Sequence, residues 1–222
     1  MGLSKRAVFI SGGTGYFGHR LLPELLRRSH AVRALVRPGS ENKISGQCAV
    51  TTGDVLNSQT FSMAVPPADT FIHLVGVPRP APWKGKTFRA LDLPSLRASL
   101  AAAQEANIRH FVYVSVAQPA PVMKAYVQVR SECEALIQAS GLSATILRPW
   151  YIIGPGHYWP MVLWPVYKLL EHVPATVASA RRLGLVTIQQ MVTALVWTVE
   201  HPADGVRIID VPGIRALAST GC

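Results

Sequence analysis

The residues whose types and spacing suggest chemistry first are Ser11-Gly12-Gly13-Thr14-Gly15-Tyr16-Phe17-Gly18. Gly12, Gly15 and Gly18 form a G-x-x-G-x-x-G pattern. It follows a short apolar run, Arg6 to Ser11, that reads as a buried strand, and it opens a helix-period pattern of Phe17, Leu21, Leu22, Leu25 and Leu26. In that context each glycine has a task. One turns the chain tightly, one lets backbone approach a diphosphate, and one lets helix and strand pack closely. The helix N-terminus then offers open N–H groups and the positive end of its dipole to an anion. Gly12, Thr14, Gly15, Tyr16, Phe17 and Gly18 are therefore the candidate ligands of a nicotinamide dinucleotide's phosphates.

The next informative position ends the second strand, Ala31 to Val36. A site for NAD usually places Asp or Glu there to hold the ribose 2′-hydroxyl. This sequence has Arg37, and no carboxylate follows until Glu41. A guanidinium fork suits a 2′-phosphate, so NADP(H) is expected over NAD(H). Arg33 shares the Arg37 face by strand alternation and either assists or faces solvent. Asp54, after a third candidate strand at Cys48 to Thr51, either accepts from the adenine amino group or caps a helix starting near Asn57-Ser58.

The elements that must position these residues alternate. Strands are expected at Thr70 to Val75, Arg109 to Ser115, Ser143 to Leu147 and Val206 to Val211, with Leu185 to Thr187 leading into the last long helix. Helices are expected at 16–29, 91–106, 123–140 and 188–200. Such alternation predicts a Rossmann-type α/β fold, a doubly wound parallel sheet with a small C-terminal α/β extension. At 222 residues and 49% hydrophobic content, a single domain over 1–222 is expected, with 149–222 as its substrate-side extension.

The chain carries 22 Lys and Arg against 12 Asp and Glu, a net charge of +10. The bases are scattered rather than clustered with aromatics, so nucleic-acid binding is not expected. Cys48, Cys133 and Cys222 form no C-x-x-C pair; with no secretory leader before the glycine turn, a cytoplasmic setting is expected. Residues 149–167 hold no Lys, Arg, Asp or Glu but many aromatics: Trp150, Tyr151, Tyr158, Trp159, Trp164 and Tyr167. Four prolines and two glycines argue against a membrane span there. The stretch reads as a pocket wall or lid, with a dimer face or peripheral membrane contact as the alternative. No H-E-x-x-H, metal-spaced carboxylate cluster or G-x-S-x-G elbow occurs, so no metal is expected.

From the glycine turn to about Pro155 the chain resembles the short-chain dehydrogenase/reductase superfamily, in its atypical and extended branch of NmrA-like and epimerase/dehydratase-like proteins. The resemblance rests on Gly12 to Gly18, Gly53-Asp54-Val55, Phe71-Ile72-His73-Leu74-Val75-Gly76 and Phe111-Val112-Tyr113-Val114-Ser115. It continues through Tyr126, Ala135-Leu136-Ile137, Thr145-Ile146-Leu147-Arg148-Pro149 and Gly154-Pro155-Gly156. It implies that Val55, Val75, Gly76, Val77 and Pro149 lie along the dinucleotide. It also implies a tyrosine that exchanges the substrate proton, a lysine four residues on, and a helping hydroxyl. Here these positions are Tyr126, Arg130 and Ser115. Arginine keeps the charge but is wider than lysine, and Val116 stands where the family often has the acting serine. The resemblance thus implies an oxidoreductase or epimerase-like enzyme acting on a small molecule. A non-catalytic dinucleotide-binding sensor or assembly protein is the other reading. His73 is expected to be a packing residue and His157 a loop histidine. Substrate and oligomeric state stay open.

Overall fold

The structure is a computed structural model that describes residues 5–44, 46–78, 80–158, 161–162, 179 and 182–220. Its centre is a seven-stranded parallel sheet in the order β3-β2-β1-β4-β5-β6-β9. The strands are β1 (Ala7–Ser11), β2 (Ala31–Val36), β3 (Ala49–Thr52), β4 (Thr70–His73), β5 (His110–Val114), β6 (Ala144–Leu147) and β9 (Val206–Ile209). Beside it, β7 (Tyr151–Ile153) and β8 (Leu185–Thr187) form a two-stranded parallel pair. The order reverses between β1 and β4, and a doubly wound sheet binds its ligand outside the carboxyl ends of the strands at such a point.

Side-chain alternation along the strands explains the two layers. Val8, Ile10, Ile72, Val112 and Val114 point to one face. There they meet α1 (Gly18–Arg27), α4 (Ile188–Glu200) and the α5 helix (Val211–Thr220). Phe9, Phe71, Phe111 and Tyr113 point to the other and meet α2 (Gly85–Glu105) and α3 (Lys124–Ala139). Register places Phe9, Phe71 and Phe111 side by side across three strands, with ring centroids 5.0 and 5.3 Å apart. All three are fully buried, each stabilising the fold by about 1.5–3 kcal/mol.

The sequence pattern placed most elements within a few residues. Three features exceed it. Helix α2 begins at Gly85 rather than near Leu91. The chain from Tyr151 to Ile153 is a strand rather than part of a lid, because its ladder to β8 satisfies backbone groups that an apolar loop would leave unpaired. Residues 211–220 form a helix that packs on α4. Helix α4 itself starts where expected because Thr187 and Gln190 close a reciprocal capping box. Most of the aromatic stretch beyond Tyr158 lies outside the described residues.

Candidate dinucleotide and reaction site

The glycine turn sits at the carboxyl end of β1, at the topological switch. Gly12 has φ +83°, a left-handed conformation, and a Cβ there would lie 2.8 Å from the carbonyl carbon of Leu74. Gly18 opens α1 with its Cα against the backbone of Gly13, leaving no room for a side chain. The Gly15 N–H closes the turn onto the Gly12 carbonyl at 3.0 Å. No hydrogen bond engages the N–H groups of Gly13, Thr14 or Phe17 among the described residues. A tight turn with open amides ahead of a helix is the donor set that a diphosphate requires, so the chain fits a dinucleotide at this point.

Tyr16 roofs the turn. Its ring lies 4.2 Å from the Arg20 guanidinium and meets His157 edge-on at 4.8 Å, while its hydroxyl abuts Gly154. The segment after β7 therefore folds back over the glycine turn, and His157 packs there.

At the carboxyl end of β2, Arg37, the candidate 2′-phosphate ligand, is exposed and has no ion-pair partner among the described residues. Glu41, the first carboxylate after it, is turned away and accepts the Gly39 N–H at 3.2 Å. Arg33 is committed to the Ala64 and Pro66 carbonyls at 2.6 and 3.0 Å, so it does not assist Arg37. Asp54 accepts the Leu56 N–H at 2.9 Å within its own turn and caps no helix; Asn57, not Asp54, caps the 3-10 helix that follows. Its second carboxylate oxygen leaves the adenine contact open. Val55 packs at the edge of the Phe9 face.

The other end gathers around the turn after β4. The Val77 N–H donates to Asp92 Oδ1 at 3.0 Å, which holds Leu74-Val75-Gly76-Val77 against α2. Arg130, on α3, is buried. It donates to the Tyr113 hydroxyl at 2.8 Å and the Val114 carbonyl at 3.0 Å, and lies 3.3 Å from Asp92 Oδ2. Its outer nitrogen fills the space that a side chain at Gly76 would need. Its Nε is buried without a hydrogen-bond partner. The alternative of a solvated Arg130 paired with Glu134 is thereby excluded; Glu134 binds Ser115 and Arg148 instead.

Tyr126 lies one turn before Arg130 on the same face. Its ring is 5.1 Å from the guanidinium and 4.9 Å from the Phe88 ring. Burial raises the Tyr126 pKa above its ordinary value; the Arg130 charge pulls it down and Asp92 pushes it up. The phenol is therefore held protonated. Ser115 is buried with its hydroxyl hydrogen given to Glu134, so donation to a substrate would require leaving that partner. Pro149 is buried and its carbonyl accepts the Ala117 N–H at 2.8 Å.

Asp92 and Tyr113 were not among the residues singled out from sequence. Asp92 did leave a signal: with Phe88, Ser95, Leu96 and Ser99 it lies on the helix-spaced buried stripe of α2, where a lone carboxylate demands a partner. Tyr113 gave none, because it reads as one more strand aromatic. His73 is a packing residue, as expected: its Nδ1 meets Ser11 and Ser99 at 3.0 and 2.9 Å, and burial lowers its pKa to about 3.

The model of an NAD(P)H-binding family matches residues 12–155, from the glycine turn to the segment after β7. The chain belongs to that NAD(P)H-binding family. Its relatives and structural neighbours lie in the extended, epimerase/dehydratase-like branch of the short-chain dehydrogenase/reductase superfamily. It is 26% identical over 214 residues to the ceramide reductase of Caulobacter vibrioides, covering 96% of this chain and 66% of that protein. It is 30% identical over 115 residues to a 3β-hydroxysteroid dehydrogenase/Δ5→4-isomerase of Mycobacterium tuberculosis, covering 49% of this chain and 31% of that one. The fold matches the Bordetella bronchiseptica enzyme WbmH in complex with NAD+ at a TM-score of 0.70 and 16% identity, over 97% of this chain and 80% of that one. The chain thus spans about two thirds of the reductase and about a third of the steroid dehydrogenase.

Among the described residues no group of His, Cys, Asp and Glu is placed to hold a metal ion, and no helix is long and apolar enough to cross a membrane.

Proposed function

We propose that this protein is an NADPH-linked carbonyl reductase for a lipophilic small molecule, with Tyr126 as proton donor. The observation that carries this reading is the protonated, half-buried Tyr126 packed between Phe88 and Arg130 beside the turn after β4. NADPH, when bound, supplies a hydride to the carbonyl carbon. Tyr126 gives its phenolic proton to the carbonyl oxygen, and the alcohol results. Arg130 lies close enough to steady the phenolate left behind, until solvent returns the proton. Preference for NADPH rests on Arg37, exposed and unpaired among the described residues at the 2′-phosphate position. A lipophilic substrate agrees with the ceramide and steroid substrates named for the two relatives. The cytoplasmic setting expected from the cysteine pattern belongs to the same proposal.

The test is absorbance of NADPH with purified protein and a panel of long-chain ketones. Turnover is expected, and Tyr126→Phe should lower it by about 10²- to 10⁴-fold while NADPH binding stays intact. Unchanged turnover in Tyr126→Phe removes the assigned role.

A second reading has its own support. Arg130 is held by Asp92, Tyr113 and Val114, and Ser115 by Glu134, so neither is free in the usual manner. A dinucleotide sensor or assembly protein would show this. It predicts tight NADPH binding, no consumption with any carbonyl, and no activity gained by Arg130→Lys.

A further inference from the structure

The entrances of α2 and α3 lie side by side, with Gly85 packed on Ala125, a Cβ at the former being 3.3 Å from that of the latter. The 3-10 turn Pro82–Lys84 leads into α2, and Trp83 on it is 83% exposed. Val122, two residues before α3, is 50% exposed. Lys86 and Lys124 are exposed at the first turns of the two helices, and Lys84 reaches the Pro78 carbonyl at 3.0 Å. Neither first turn contains an acidic residue. Indeed no Asp or Glu occurs from Thr70 to Leu91 or from Ala106 to Ser131. Of the acids deeper on these helices, Glu132 pairs with Arg89 at 2.7 Å, Asp92 and Glu134 pair with Arg130 and Arg148, and Glu105 lies at the far end of α2.

A large apolar ring held in water beside Lys86 and Lys124, neither of which has an ion-pair partner among the described residues, has a clear physical complement. We infer that the mouth formed by Trp83, Val122, Lys86 and Lys124 docks on an anionic phospholipid bilayer. The indole would sit at the headgroup level, where its apolar body and its N–H are both satisfied, and the ammonium groups would meet lipid phosphates. Phe88 and Tyr126, whose rings pack together at a tilt of 53°, lie five and four residues further along than Trp83 and Val122. The docking face therefore opens one helical turn from the proposed proton donor. The docking itself needs neither NADPH nor turnover; it deepens the proposed function only by giving a membrane-dissolved ketone a short route to Tyr126.

The experiment is sedimentation of the full chain with vesicles of phosphatidylcholine alone or mixed with phosphatidylglycerol. Binding to the mixed vesicles at low salt is expected, with release at high salt and little binding to phosphatidylcholine. The tryptophan emission should shift blue on binding, and most of that shift should vanish in Trp83→Phe. Lys86→Ala and Lys124→Ala should each weaken partitioning about fivefold. Their thermal melts and NADPH affinities should stay unchanged, which separates failure here from failure of the reductase reading. The inference is overturned by absence of binding at low salt, by equal binding to neutral vesicles, or by variants that bind like the parent. It is overturned also if the protein associates with itself through this patch, seen as a dimer that Trp83→Ala dissolves, since a second copy would then occupy the face.

Discussion

The two ends of the dinucleotide-binding edge are built on different principles. At the glycine turn, main chain does the work: N–H groups, a left-handed Gly12 and the contact of Gly18 with Gly13. Side chains matter there chiefly by being absent. At the other end, side chains from three elements converge, with Asp92 from α2, Tyr113 from β5 and Tyr126 and Arg130 from α3. The first site tolerates little chemical variation because it is defined by space. The second can be rewired, and here arginine stands in the place of lysine with a buried carboxylate to match it. The comparison teaches that the candidate phosphate-binding turn and the candidate reaction site are built by different means, main-chain space in one and converging side chains in the other.

Four experiments would break or sharpen that contrast. The largest effect is expected at the turn. Gly12→Val would place a side chain into the Leu74 backbone from a left-handed residue, and NADPH binding should fall more than about 100-fold by calorimetry. Binding within a few-fold of the parent would show that the turn is not the phosphate site.

Next comes the buried ion pair. Asp92→Ala leaves the Arg130 cation without its counter-charge and the Val77 N–H without its acceptor, and should cost about 3–5 kcal/mol in denaturant unfolding. Asp92→Asn keeps the hydrogen bond and should cost less. A loss as small as that of a surface substitution would mean that Arg130 is held by Tyr113 and Val114 alone.

Smaller again is the cofactor choice. Arg37→Ala should weaken NADPH about tenfold and leave NADH unchanged, consistent with one charge-assisted contact at an exposed position. Equal losses for both nucleotides would assign Arg37 to the diphosphate rather than to the 2′-phosphate.

The mildest effect is on pH. Burial lowers the pKa of His73 to about 3; burial, with Arg207 and Arg6 nearby, lowers that of His110 to about 4. Both folded values lie below the ordinary 6.5, so the unfolded chain takes up protons first as pH falls. Stability should therefore be constant above about pH 6.5 with respect to these groups, decline below it, and cease declining on their account near pH 3. His110→Gln, which keeps a partner for Thr145, should flatten the upper part of that decline in denaturation midpoints. A decline of unchanged slope would clear His110.

The legibility of the site follows the same division. Gly12, Gly15 and Gly18 were readable because their requirement is local, a turn between a strand and a helix. Arg37 was readable because strand length and the following Pro38-Gly39 place it at the sheet edge. Tyr126 and Arg130 were readable as a pair through helical spacing alone. The partners were not. Asp92 lies 38 residues before Arg130 in the chain, and Tyr113 lies on another element. Ser115 was a candidate hydroxyl in sequence, yet α3 brings Glu134 to it, and Arg148, just after β6, holds that carboxylate.

By itself the sequence determined the alternating parallel sheet, the tight glycine turn and the face shared by Tyr126 and Arg130. Those depend on backbone conformation and on periods of two and 3.6 residues, which act over a few positions. Only the tertiary structure decided the partners of the Arg130 charge, the hydroxyl that was already engaged, and the joining of two lysine-bearing helix entrances around one exposed tryptophan. Burial and long-range pairing set those, and neither can be read from neighbours along the chain.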